Sequence, residues 1–177
     1  MQQLGNRLGL GMIGGVAGLV VMNLVRVGTA PLVKPRAPRP TDVFLTARTM
    51  SPIGPHHRTG EPAAEALGRL VYGTLIGGEP SRRVGRALAW AVQIGYGLLA
   101  AAAYGVLRAR RTRRPVRDGA WFGAALWLAG DELAAPLLGL ADKPTAYHPT
   151  YHLQSLAQHL GFGIATAAAT CALEEIR

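Results

Sequence analysis

Residues 120–140, AWFGAALWLAGDELAAPLLGL, are almost wholly apolar, yet Asp131 and Glu132 stand side by side near their middle. The run matches the roughly 20 residues a helix needs to cross a bilayer. A carboxylate at that depth is costly and faces a bundle interior or a wet cavity rather than lipid. Pro136 follows Glu132 by four positions, so the Glu132 carbonyl loses its ordinary helical donor. Few folds accommodate such a stretch, and the rest of the chain narrows them further.

Three more segments share its apolar character, at 8–28, 87–107 and 151–173, separated by connectors rich in Arg and Pro. This division hides behind a mean hydropathy of only +0.18. A soluble helical domain shows narrow apolar stripes at helical spacing, whereas these segments are apolar on nearly every face. The pattern predicts one integral membrane domain over 1–177: an all-α bundle of four transmembrane helices plus one amphipathic interfacial helix. The net charge of +9 would suit nucleic acid. Because the arginines adjoin apolar spans, anionic lipid headgroups are the expected partner instead, and no nucleic acid. Cys171 is the sole cysteine, cannot form an internal disulfide, and reads as a small packed side chain.

The first span exceeds the 7–15 apolar residues of a signal-peptide core, and the region before it carries only Arg7 as a charge, so it reads as a retained helix. Gly11, Gly14, Gly15 and Gly18 form overlapping small-xxx-small pairs, which let a second backbone approach closely. Packing within this chain is favoured over homodimerisation. Asn23 is the uncharged polar group of its later half. Residues 30–60 hold six prolines, a density that forbids long helices. A short helix at 42–50 is expected there, and His56–His57 reads as a solvated pair rather than a metal site. From 62 to 75, Ala63, Ala66, Leu67, Leu70, Val71, Thr74 and Leu75 recur at i, i+3, i+4 and i+7. That is an amphipathic helix, too short to span, with Pro62 in its first turn and Gly77–Gly78 ending it.

The second span follows Arg82, Arg83 and Arg86, carries Gln93 and Tyr96, and has Gly95, Gly97 and Gly105 for close packing. It runs into Arg108, Arg110, Arg111, Arg113, Arg114 and Arg117. A short arginine-dense loop between spans is where the positive-inside rule applies best, which places this loop and both termini in the cytoplasm. His148 and Pro149 read as the cap and first position of the last helix. His152, Gln154, Ser155, Gln158 and His159 fill its first half, and Gly161 and Gly163 permit a close neighbour.

Helical rise brings these polar groups to one level. At 1.5 Å per residue, Asp131 lies roughly 13 Å below one membrane face and His159 roughly 12 Å below the same face. Gln93 and Tyr96 fall at roughly 9–14 Å, with Asn23 within roughly 10 Å. The expected polar site is therefore Asn23, Gln93, Tyr96, Asp131, Glu132, Ser155, Gln158 and His159, opposite the arginine loop. The expected packing glycines are Gly11, Gly15, Gly18, Gly95 and Gly161.

Three chemistries suit this layer. It can be a hydrogen-bonded network fixing helix register. It can handle protons or ions, since a carboxylate near an imidazole shifts both titrations into a useful range. It can bind a metal through Asp131, Glu132 and His159. Haem is the weaker form of that third reading, because His152 and His159 are seven apart, roughly 10 Å along one helix, and cannot both ligate one iron. Catalytic residues are not expected, because there is no nucleophile elbow and no phosphate-binding loop. No cofactor is predicted. The two functions in view are a proton- or ion-handling membrane protein and an accessory subunit packing through Gly-rich helices, alone as a homo-oligomer or in a larger complex.

GMIGGVAGLVVMN, QIGYGLLAAAAYG and the pair WLAGDELAAPLLGL and HPTYHLQSLAQHLGFG resemble the YagU-like bacterial inner-membrane proteins. The resemblance covers the spans and not most of the proline-rich loop. It implies a small multispanning protein of the bacterial plasma membrane and supplies no catalytic residues.

Overall fold

The computed structural model describes residues 2–33, 49–108 and 114–176, and all regular structure among them is helical. The helix expected at 42–50 falls largely outside the described residues, as do 109–113 of the arginine run. Helix α1 spans Gln2–Thr29, α2 Ala63–Leu75, α3 Arg82–Leu107, α4 Pro115–Leu126, α5 Ala135–Leu137 and α6 Pro149–Glu175. Among the described residues, three helical segments are long and apolar enough to cross a membrane: Gln3–Leu32, Arg82–Leu107 and Pro149–Glu175.

The helices outrun their apolar cores because capping decides where they begin. The Val84 and Gly85 amides donate to the Ser81 hydroxyl and carbonyl, at 3.4 and 2.8 Å, so α3 starts five residues before its apolar run. Pro115 and Pro149 open α4 and α6, where a missing N–H costs nothing. Pro62 is the N-cap of α2 rather than its first helical residue.

The stretch expected as the third span is built differently from the other three. After α4 the chain passes into π-helical turns over Trp127–Ala134 and closes with the short α5. Pro136 accounts for the break: it brings no N–H, and its ring would collide with the carbonyl four residues back in an α-helix. Widening the preceding turns relieves that collision.

The chain divides into two compact units. The first comprises Met1–Lys34, Tyr96–Leu128 and Pro149–Arg177 and is held by backbone-to-backbone packing. A Cβ on Gly11 would lie 3.1 Å from the Ala102 Cα, and one on Gly105 would lie 2.9 Å from the Gly11 Cα. On the other side of α1, Gly14 faces the Thr166 carbonyl and Gly18 the Phe162 ring and carbonyl, at 2.7 and 2.8 Å from their would-be Cβ atoms. Between α4 and α6, Gly119 sits against Ile164, Gly123 against the His159 carbonyl and Leu160, and Gly163 against Gly123. The rings of Tyr104, Phe122 and Phe162 stack in sequence, centroids 4.7 and 6.1 Å apart. Small residues facing one another are what allow apolar helices to approach this closely.

The second unit comprises Pro35–Gly95 and Ala129–His148. There α2 lies on the first half of α3 through Gly68, whose Cβ would stand 2.9 Å from that of Leu88. Leu67, Val71 and Leu75, at i, i+4 and i+8, stay exposed along another face of α2.

Candidate functional site

In the first unit, the register of α1 against α6 sets Asn23 level with the polar half of α6. Val21 and Val25, which flank Asn23, approach Gly161 to 3.2 and 3.3 Å from its would-be Cβ. Asn23 donates to the Leu19 carbonyl at 2.8 Å, while its Oδ1 is buried with no hydrogen-bond partner. His159 is buried, and its Nδ1 lies 2.9 Å from the Ser155 carbonyl. A carbonyl only accepts, so Nδ1 carries the proton there. The His159 carbonyl abuts Gly123 of α4, and the Trp127 Nε1, one turn further along that chain, is buried without a partner. Ser155 is buried, Gln158 half-buried and Tyr96 exposed. At the mouth of this layer, Gln154 donates to the Thr29 hydroxyl at 3.0 Å.

In the second unit, Asp131 and Glu132 are half-buried on the π-helical turns, and Gln93 is half-buried on α3. None of the three lacks an interaction. The expected set thus divides, with Asn23, Tyr96, Ser155, Gln158 and His159 in one unit and Gln93, Asp131 and Glu132 in the other. Among the described residues no group of three His, Cys, Asp or Glu could hold a metal ion, so Asp131, Glu132 and His159 carry no metal proposal. Of the expected packing glycines, Gly11, Gly15, Gly18 and Gly161 lie against neighbouring helices, whereas a Cβ on Gly95 would meet nothing within 4 Å. Gly119 and Gly123, four apart on α4 and not among those expected, make the closest approach to α6.

The second unit also holds a polar cluster that contradicts the reading of His57 as solvated. His57 is buried, with its Nδ1 2.9 Å from the Gly139 carbonyl and its Nε2 3.3 Å from Asp142 Oδ1. The same carbonyl accepts the amides of His56 at 2.7 Å and His57 at 3.1 Å. Gly139 has φ +70°, and a Cβ there would strike the Gly54 carbonyl. The 51–57 loop is thereby fastened to the chain that leaves α5. The one legible trace was Gly139 itself, a glycine ending an apolar helix where a left-handed residue is common.

A second anchor holds the same loop. Arg69 grips Glu61 with both ends of its fork, at 2.8 and 2.9 Å, and donates to the His56 carbonyl at 2.7 Å. The Arg69 hydrogen bond is the largest influence on the Glu61 carboxyl and holds it below its ordinary range against the opposing effect of burial. The same bond raises the Arg69 guanidinium.

Comparison of the chain with protein-family models, with curated proteins and with solved structures gives no match.

Proposed function

We propose that this chain is a small polytopic membrane protein whose Asp131 and Glu132 form a proton- or cation-handling site in one half of the bilayer. One observation carries the reading: two adjacent carboxylates sit on π-helical turns inside an otherwise apolar helical run. Carboxylates at membrane depth are expensive, and π-turns recur at functional positions. In this reading residues 120–140 are a fourth span beside the three long apolar helices, and α2 lies at the interface with its exposed Leu67, Val71 and Leu75 row in lipid. The arginine-rich end of α3 faces the cytoplasm with both termini, in a bacterial plasma membrane, as the YagU-like resemblance implies.

Two measurements test it. Cysteines at Arg117 and Lys143, in a Cys171→Ala background, should react with an impermeant thiol reagent from opposite sides of the membrane. Labelling of both from one side removes the fourth span. Proteoliposomes containing a pH-sensitive dye should show proton or cation flux that is lost in Asp131→Asn and Glu132→Gln while the variants remain folded. Unaltered flux in both variants removes these acids from the function.

A second reading, an accessory subunit of a larger membrane complex or a homo-oligomer, draws on Gly5, Gly9 and Gly95. Nothing lies within 4 Å of a Cβ built at any of them, so these faces are open to a further helix. Gentle detergent extraction separates the two readings, because a subunit co-migrates with a complex and a transporter migrates alone or as a small oligomer.

A further inference from the structure

We propose that His57 and Asp142 form a proton-operated latch that fastens the 51–57 loop to the end of the helix carrying Asp131 and Glu132. The latch stands apart from the proton- or cation-handling reading. It follows from what each hydrogen-bonding atom can donate.

The Gly139 oxygen faces His57 Nδ1 at 2.9 Å and has no proton to give, so Nδ1 is protonated. A neutral imidazole carries one proton only, which leaves Nε2 as a bare acceptor. That acceptor points at Asp142 Oδ1 from 3.3 Å, and an ionised carboxylate also only accepts. Two lone pairs would then oppose each other where the side chains are 3% and 7% exposed, too enclosed for bulk water to screen them. One further proton resolves the conflict, held on Nε2 as an ion pair or on Asp142 as a neutral acid. The closed latch therefore contains one more proton than a neutral imidazole facing an ionised carboxylate. It closes on proton uptake and opens as pH rises.

The charged groups around the pair are these. On the loop side, the Arg58 guanidinium pairs with Glu79 and its amide donates to Glu61. From α2, Arg69 is committed to Glu61 and the His56 carbonyl, and Glu65 is the other charge of that helix. His56 touches Gly139 through its ring edge and backbone, each 3.2 Å from the would-be Cβ. On the far side, the Tyr147 hydroxyl accepts the Asp142 amide at 3.1 Å, with Lys143 and His148 the remaining ionisable groups of that turn. Upstream, Asp131 and Glu132 lie about two helical turns before Gly139. Opening the latch frees the loop from a carbonyl that otherwise receives three donors.

The test uses the full chain in nanodiscs, with Cys171→Ala and a spin label at Ile53, which is 63% exposed. Its line shape is followed from about pH 5 to 8, the interval in which imidazole ordinarily changes charge. The label should be immobile at the acid end, with a mobile fraction that rises severalfold toward the alkaline end. Asp142→Asn places an amide N–H opposite neutral Nε2, so this variant should stay immobile throughout. ¹⁵N spectra of the native His57 ring should show both nitrogens protonated, or Nε2 hydrogen-bonded to a protonated Asp142, at the acid end, with one proton lost as the label loosens. A label indifferent to pH, or an Asp142→Asn variant that follows the native pH course, overturns the latch.

Discussion

Arg108, the residue after α3, reaches Glu174 near the end of α6 with a guanidinium nitrogen 2.6 Å from the carboxylate. The Arg108 side chain is 4% exposed, and its Nε and second terminal nitrogen are buried without partners. The guanidinium carbon stands 5.9 Å from the centre of the Tyr104 ring. Among the described residues, Glu174 is the carboxylate that answers this buried cation. Glu174→Ala should destabilise the chain by about 1.5–3 kcal/mol, the usual loss for a hydrogen bond to a charged group. Adding Arg108→Met should restore part of it, because the stranded charge goes too. SDS titration followed by circular dichroism measures both.

Gly163 and Gly95 should respond oppositely to the same methyl group. A Cβ on Gly163 would stand 2.6 Å from the Gly123 nitrogen, so Gly163→Ala forces α4 from α6 at a cost of about 1–3 kcal/mol. Gly95→Ala meets nothing and should gain up to about 1 kcal/mol from helix propensity. Thermal melts in one detergent compare them directly.

Glu61 makes part of the stability pH-dependent. Its native carboxyl titrates below the ordinary value of 4.5. The pair's contribution is therefore complete above that value and declines as pH falls from it through the lowered native value. Glu61→Gln should cost about 1.5–3 kcal/mol at neutral pH and should flatten the acid limb of a melting-temperature profile.

Gly139 is held at positive φ against the Gly54 carbonyl, a position at once strained and closed to a side chain. Gly139→Ala should cost about 1–3 kcal/mol and expose the loop. Faster trypsin cleavage at Arg58, whose flank the clamp protects, is the readout.

The long helices were legible because uninterrupted apolarity over some twenty residues has few other outcomes, and the prolines and glycines at their ends marked where they stop. The π-turns were half legible. Pro136 announced a broken ladder, but whether a helix kinks, ends or widens is decided by what packs around it. Gly119 and Gly123 show the character of the glycine signal. Spacing of four makes close packing available, yet only tertiary register tells whether a glycine meets another backbone, as these two do, or open space, as Gly95 does. His57 was misread because burial of a loop histidine depends on a partner 85 residues away, and local polarity carries no trace of Asp142.

The seating of α1 against α6 bears on the order of synthesis. Gly18 meets Phe162 and Thr166, and 162 − 18 = 144 residues separate Gly18 from Phe162. At about 5–20 residues per second, ribosomes take about 7–30 s to make what lies between. Through that interval the Gly14 and Gly18 face of α1 lacks the partner it was shaped for, while the second half of α3 arrives earlier to meet Gly11 and Gly15. Until α6 is made, the small-residue face of α1 is left open to the approach of other apolar helices.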